Sequence, residues 1–330
     1  MIPNKYRIAI CIIIWIFCAS LQATTLEMRV YKVGQANTIL LKIGDQLIAV
    51  DIGKCTDRIA EPQAIDIQRM LQGVSTCKII VTHPHRDHYL GVGNFIKLIS
   101  QLAPRQIDII QPQTSLSQAP QAQDGTKQTV QRYINTHGPR ATTDISTLVQ
   151  AFPTPQHFDN ENSNSLILKA TNSPQPNSPT VILTGDATSE LLDAHRAHSV
   201  GPLPPLPPLP PLPTTENGLQ PYPMPPGAIQ PTGFEKAVFP EVRVVVLPHH
   251  GSASNGSLNW FAAIENSRHN GTWYIISSDP SKGHHIPTQA TLDYIKGCTN
   301  REIMLTSKAK GSCWRVVMHD GFTEIHDGQA

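Results

Sequence analysis

With 330 residues, 26 basic side chains and 25 acidic ones, the chain can bury a sizeable core and carries almost no net charge. That balance does not resemble the strongly basic composition of a typical nucleic-acid binder. It leaves a polyanionic substrate open, because a metal pair supplies local positive charge that a whole-chain sum never registers.

In residues 1–23, Lys5 and Arg7 precede an apolar run from Ile8 to Ala19 that closes on Leu21-Gln22-Ala23, the layout of a secretory signal peptide. The run is shorter than the roughly 20 residues of a helical span. Cleavage near Ala23 would leave a soluble mature chain, periplasmic or secreted, with a formal charge near −1 once Lys5 and Arg7 are gone. Cys11 and Cys18 leave with the leader. Four cysteines in an exported chain suggest disulfides, and proximity favours Cys55–Cys77 and Cys298–Cys313.

From Leu26 onward, three β-rich runs, Met28–Val33, Thr38–Ile43 and Gln46–Asp51, read as a meander. A helical spacing covers Pro62–Gln72, and a continuous apolar strand, Lys78–Thr82, runs into His83. A helix over Gly93–Leu102 and a strand over Ile107–Ile110 precede a Gln-rich region to about Thr143 with no legible pattern. Further strands are expected at Ser165–Ala170, Thr180–Leu183, Val242–Leu247, Trp273–Ile276, Ile303–Thr306 and Trp314–Met318. Strands in both halves with helices between them suit an α/β chain of two sheets with helices outside. Between Gly201 and Gly233 the proline density permits neither helix nor inner strand, so this stretch reads as a surface insertion, a spacer or a docking segment for a partner.

Chemistry concentrates at strand ends. Thr82-His83-Pro84-His85-Arg86-Asp87-His88 offers three imidazoles and a carboxylate directly after a strand, a donor set that suits zinc or a similar divalent ion. Asp51 closes the strand Leu47-Ile48-Ala49-Val50 and could orient a ligating imidazole, or serve only as a turn aspartate. Asp186 follows Thr180–Leu183 and Gly185; its two oxygens could bridge two cations, or it could cap the helix that follows. The strand Val244–Leu247 ends in Pro248-His249-His250-Gly251-Ser252, where either histidine could be a ligand.

Together these segments resemble the metallo-β-lactamase superfamily, and within it the branch holding the hydrolase domains of ComEC-type DNA-uptake proteins and the teichoic-acid phosphorylcholine esterases. The likeness rests on Val33-Gly34-Gln35-Ala36-Asn37, Val50-Asp51-Ile52-Gly53, the THPHRDH cluster, Asn164-Ser165-Leu166, Leu183-Thr184-Gly185-Asp186 and LPHHGS. It implies a four-layer αββα sandwich over residues 24–330. It also implies two divalent metal ions, zinc being expected: one held by His83 and His85, the other by Asp87, His88 and one of His249 or His250, with Asp186 bridging. Asp87, His249 and His250 are then the candidate catalytic groups. Many superfamily members carry another histidine before the strand near Ser165, where this chain has Asn160-Glu161-Asn162-Ser163-Asn164; His157 is the nearest substitute. Gly283-His284-His285-Ile286-Pro287 is similar to a late histidine of the branch and suggests a substrate-phosphate contact.

The function implied is exported phosphoester hydrolysis, by a phosphodiesterase or nuclease using a metal-bound hydroxide. The alternatives are a lactonase or β-lactamase acting on a carbonyl, and a non-catalytic binding protein that kept the fold.

Overall fold

The computed structural model describes residues 25–34, 36–102, 106–110, 145–146, 148–152, 161–175, 178–200, 241–252, 264, 272–278, 286–299, 301–319 and 322–328, and for 106–110, 161, 195–200, 248 and 298 the backbone alone. Residues 1–23 with their leader-like pattern, the Gln-rich region and the proline-rich stretch lie outside the described residues.

In chain order the first half contains β1 (Leu26–Tyr31), β2 (Thr38–Ile43), β3 (Gln46–Ile52), α1 (Pro62–Met70), β4 (Thr76–Ile80), α2 (Arg86–Tyr89), α3 (Val92–Leu102) and β5 (Gln106–Ile110). There follow β6 (Val149–Phe152), β7 (Ile167–Thr171), β8 (Thr180–Leu183), α4 (Ser189–Val200), β9 (Val242–Val246), β10 (Trp273–Ile276), α5 (Gln289–Cys298), β11 (Met304–Leu305), β12 (Cys313–His319) and β13 (Phe322–Gly328). The chain is thus mixed α/β with two mixed sheets.

The seven-stranded sheet runs β13-β12-β1-β2-β3-β4-β5 and the six-stranded sheet β11-β10-β9-β8-β7-β6. Each joins an antiparallel part to a parallel part: β3, β4 and β5 are parallel in the first, and β8, β9, β10 and β11 in the second. Parallel neighbours need a crossover, and α1 and α3 supply two of them. α1 begins on Pro62, whose fixed φ suits a first helical position, and α3 buries Val92, Phe95, Ile96 and Ile99 along one helical stripe. α5 is capped by the Thr288 hydroxyl, which accepts from the Thr291 amide.

Three apolar clusters follow from this layout. One takes residues from both sheets, among them Met28, Ile48, Val50 and Val316 of the first and Leu168, Val181 and Val244 of the second. Another joins Leu40, Leu47 and Ile79 to α1 and α3, and a third joins Ile182, Val245 and Tyr274 to α4 and α5. Burying both faces of β3, β4, β8 and β9 explains why these strands read as continuous apolar runs. Because the parallel strands end along one edge of each sheet, residues just past β3, β4, β8 and β9 are the ones that can converge.

The expected disulfides do not form: Cys55, Cys77 and Cys313 are thiols. The Cys55 thiol donates to the Thr56 carbonyl, and the Cys313 thiol contacts Asp66 at 3.8 Å. α5, which carries Cys298, packs through Ile295 into the core of the six-stranded sheet, whereas Cys313 belongs to the outer core of the other sheet. Among the described residues, no helix is long and apolar enough to cross a membrane.

Candidate metal centre

The chain leaves β4 at Ile80 and reaches His83 through Val81 and Thr82, all buried. His85 then precedes the single turn of α2, with the His88 amide donating to the His85 carbonyl at 3.0 Å, so that Asp87 and His88 project from one helical turn. Asp186 follows β8, and His249 and His250 follow β9 in a 3-10 turn over Pro248–Gly251.

These strand ends meet. His83 Nε2 lies 3.5 Å from Asp186 Oδ2, and His88 Nε2 lies 3.0 Å from Asp186 Oδ1. On the other side of His88, Asp87 Oδ2 is 3.7 Å from His88 Nε2 and 3.2 Å from His250 Nε2. Two sets of ligand atoms result, His83–His88–Asp186 and Asp87–His88–His250, each with its atoms within 4.8 Å of one another. Ligands about 2.1 Å from one ion stand at most about 4.2 Å apart, and all four distances fall inside that limit.

The two oxygens of Asp186 face different imidazoles, Oδ2 toward His83 and Oδ1 toward His88. His85 is half-buried, its ring edge-on to His83 with centroids 4.5 Å apart. His249 Nε2 is 3.8 Å from Asp186 Oδ2, and its side chain remains a third exposed. His250 is buried and donates its Nδ1 proton to the Ser277 carbonyl at 2.5 Å, which turns Nε2 toward Asp87. Of the two neighbouring histidines, His250 has the ligand's geometry.

Asp51 sets the other tautomer. Its Oδ2 accepts from His88 Nδ1 at 2.7 Å and from the Thr82 hydroxyl at 2.8 Å, while Oδ1 accepts from the Thr82 amide at 2.7 Å. With Nδ1–H committed, His88 presents Nε2 to the cluster, the carboxylate–histidine arrangement that orients metal ligands.

Charge states follow from these contacts. Burial opposes an imidazolium at His88, but Asp186 and Asp51 outweigh it and hold the metal-free group's pKa well above the ordinary histidine value. Burial and the neighbouring His88 push His83 well below that value, so His83 stays neutral. Burial alone would raise both carboxylates; His88 and His83 lower Asp186, and the hydrogen bond from His250 with the charge of His88 lowers Asp87, so both remain ionised.

Whether these residues suit a metal can be tested on the cluster itself. Nε2 of His83 and of His88 are buried and make no hydrogen bond, since the 3.0 Å approach of Asp186 to His88 lacks hydrogen-bond geometry. A buried polar atom without a partner costs about 1–3 kcal/mol. Two such nitrogens facing ionised carboxylates form a donor set that could hold a metal ion.

Backbone strain gathers at the same place. Asp51, His249 and His250 are the non-glycine residues with positive φ among those described, at 51°, 44° and 54°. Each such conformation costs on the order of 1–3 kcal/mol and persists where the surroundings impose it. Gly53 serves by close approach: a Cβ there would lie 1.7 Å from the Asp87 carbonyl oxygen.

The structure therefore brings together Asp51, His83, His85, Asp87, His88, Asp186, His249 and His250, while His284, His285 and His157 lie outside the described residues. Three contributors escaped sequence reasoning. Thr82 braces Asp51, the Ser277 carbonyl fixes His250, and the Ser165 hydroxyl accepts from the Asp186 amide at 3.3 Å. Thr82 and Ser165 stand inside the segments singled out above, whereas Ser277 acts through a main-chain carbonyl that no residue type announces. The chain matches no protein-family model and no curated protein sequence.

Proposed function

We propose that the chain is an exported metal-dependent phosphodiesterase of the metallo-β-lactamase fold, with two zinc ions at the strand-end cluster. The observation that carries the reading is the pair of ligand sets sharing His88, with Asp186 turning one oxygen to His83 and the other to His88. Support for the four-layer αββα arrangement comes from an apolar cluster common to both sheets and from two further clusters joining each sheet to its helices. The leader-like residues 1–23 motivate export, to a periplasm or beyond the cell.

In this reading His83 and His85 would hold one ion, Asp87, His88 and His250 would hold the other, and Asp186 would be shared between them. A pair of such ions supplies a water acidic enough to be a nucleophile near neutral pH, and positive charge beside a phosphoryl oxygen. The protein's own work is orientation. Asp51 and Ser277 fix the tautomers of His88 and His250, and Thr82 holds Asp51 in its strained turn. His249, partly exposed beside Asp186, is the group placed to hydrogen-bond developing charge or to protonate the leaving oxygen. His284 and His285 are assigned the substrate phosphate.

The test is the metal content of the purified mature protein together with its hydrolysis of bis(p-nitrophenyl) phosphate, with and without chelator. About two zinc ions per chain and chelator-sensitive turnover are expected. Metal-loaded protein that cleaves a lactone or β-lactam but not the phosphodiester would replace the substrate class; no metal and no turnover would leave a binding protein.

A further inference from the structure

One edge of the seven-stranded sheet is β13, which pairs with β12 along its whole length without a shift in register. Among the described residues no strand pairs with its other side. What that side presents can be read from the inner one. The Gly328 carbonyl accepts from the Ser312 amide at 3.1 Å and so points toward the β12 side. Main-chain groups alternate between the two sides of a strand, so Phe322, Glu324 and His326 bond inward as well. Thr323, Ile325 and Asp327 turn their N–H and C=O groups outward.

An open row of this kind is a template for a further strand, and edges are commonly blunted by charged side chains, proline or a bulge. β13 has neither proline nor bulge. Its exposed charge is also not of one kind: His326 Nε2 donates to Glu324 Oε2 at 3.0 Å, and both side chains are about half exposed. The third ionisable group, Asp327, is already engaged by the Lys310 and Gly311 amides, and Arg315, across from His326 on β12, is held by Glu27. The edge therefore offers one acid and one imidazole two residues apart.

That spacing is complementary to itself. When two copies of β13 run antiparallel about a two-fold axis, outward groups must meet outward groups, so the axis passes through a residue. An axis at Glu324 sets two carboxylates face to face, and one at His326 sets two imidazoles. With the axis at Ile325, Glu324 lies opposite the partner's His326 and His326 opposite the partner's Glu324. These are non-hydrogen-bonded pairs, in which side chains approach most closely. Each carboxylate then has an imidazole along its own strand and another across the axis. Thr323, whose hydroxyl makes no hydrogen bond, falls opposite the partner's Asp327, and half-exposed Phe322 falls opposite the partner's Gly328, which has no side chain to obstruct it. The three outward residues of each copy complete about six main-chain hydrogen bonds.

We infer that β13 is an interface for a second copy of this chain, the two joining edge to edge, antiparallel about a two-fold axis at Ile325, so that the seven-stranded sheet continues from one copy into the other. Association closes the open edge and covers the exposed part of Ile325, which in one copy packs only partly against the cluster between the sheets. β12, β1 and β2 stand between β13 and β3, so the strand-end cluster stays clear of the join. The inference does not use the phosphodiesterase reading. A single strand pair buries little surface, and the dimer belongs to the weak, concentration-dependent class.

Sedimentation equilibrium of the purified mature protein tests the interface. The wild type should pass from monomer to dimer as its concentration rises from about 1 µM to about 500 µM, the range of a weak interface. Ile325→Pro withdraws the central outward N–H without costing the β12–β13 ladder a bond, as proline on an edge strand can. Glu324→Lys, at an exposed position, sets an ammonium group against the partner's imidazole. Each variant should weaken association at least about tenfold, since two cross-strand pairs or the central hydrogen bonds are lost on both sides of the axis, with circular dichroism unchanged. The exchanged variant Glu324→Lys/His326→Glu restores opposite charges across the axis and should recover the dimer, which a purely structural role of Glu324 would not bring about. A wild type that stays monomeric throughout, a dimer that survives Ile325→Pro, or no recovery in the exchanged variant overturns the interface.

Discussion

Two buried polar clusters sit in the seven-stranded sheet and its helices, built from similar residue types to opposite effect. Between β1, α1 and β12, the Asp66 carboxylate accepts from Arg29 at 2.7 Å and from the Tyr31 hydroxyl at 2.8 Å, and Arg29 also grips Glu27, which Arg315 holds from the other side. Both oxygens of Asp66 are occupied and the network closes on itself. At the strand ends, Asp51 and Thr82 are equally well satisfied, yet Nε2 of His83 and of His88 are buried with no hydrogen bond, toward a common space. A closed network fixes packing. A network satisfied only on its outer side is prepared for something that enters its centre.

The sharpest way to break the comparison is to remove one carboxylate from each cluster. Asp186→Ala should abolish turnover of bis(p-nitrophenyl) phosphate and lower bound zinc from about two ions per chain to one or none, read by elemental analysis, with the far-ultraviolet circular dichroism unchanged. Retained metal and activity would remove Asp186 from the centre. Asp66→Ala should act the other way, leaving metal per folded molecule unchanged while costing about 3–5 kcal/mol in urea denaturation, because it strands a buried guanidinium. Glu27 limits that loss by keeping one partner for Arg29. Zinc loss without destabilisation would refute the division between the two clusters.

A finer probe separates holding from orienting. Asp51→Asn keeps an oxygen for Thr82 but withdraws the charge that accepts from His88 Nδ1. Loss of such an orienting partner typically weakens metal affinity 10- to 100-fold. Competition with a chromophoric chelator should find that loss on one ion with the other little affected. Unchanged affinity for both would reduce Asp51 to a strained turn residue.

The same contrast governs what the sequence disclosed. Thr38–Ile43, Thr180–Leu183 and Trp273–Ile276 were legible to the residue, because their apolar runs are bounded by polar or glycine turns. The strand into His83 was set late, over Lys78–Thr82, whereas β4 pairs over Thr76–Ile80 and leaves Val81 and Thr82 to carry the chain to the site. Phe322–Gly328 was missed: it is an edge strand, exposed at alternate positions through Phe322, Glu324 and His326, so its apolar signal is thin. α5 was missed too, although Thr288 supplies the N-cap that could have announced it. Ligand-type side chains at strand ends are visible as letters, and hence the site was largely legible. Which histidine of the pair has ligand geometry was not, because that depends on left-handed backbone at His249 and His250 and on the Ser277 carbonyl.

The smallest effect expected is a pH dependence to which the closed network contributes through Cys313. Burial, reinforced by Asp66, pushes the Cys313 thiol up to about 11. In the unfolded chain a thiol ionises near about 8.5. The folded pKa is the higher one, so between those values the unfolded state has lost a proton that the folded state keeps, and stability falls as pH rises, by at most about 1.4 kcal/mol per unit for one group. Burial also pushes Cys55 up to about 12, with Asp57 adding to it, so Cys55 contributes a slope of the same sign. Cys313→Ser should therefore remove part of the decline in urea stability between about pH 8.5 and 10.5, not all of it. Identical slopes for the variant and the wild type would mean that Cys313 does not keep its proton inside this network.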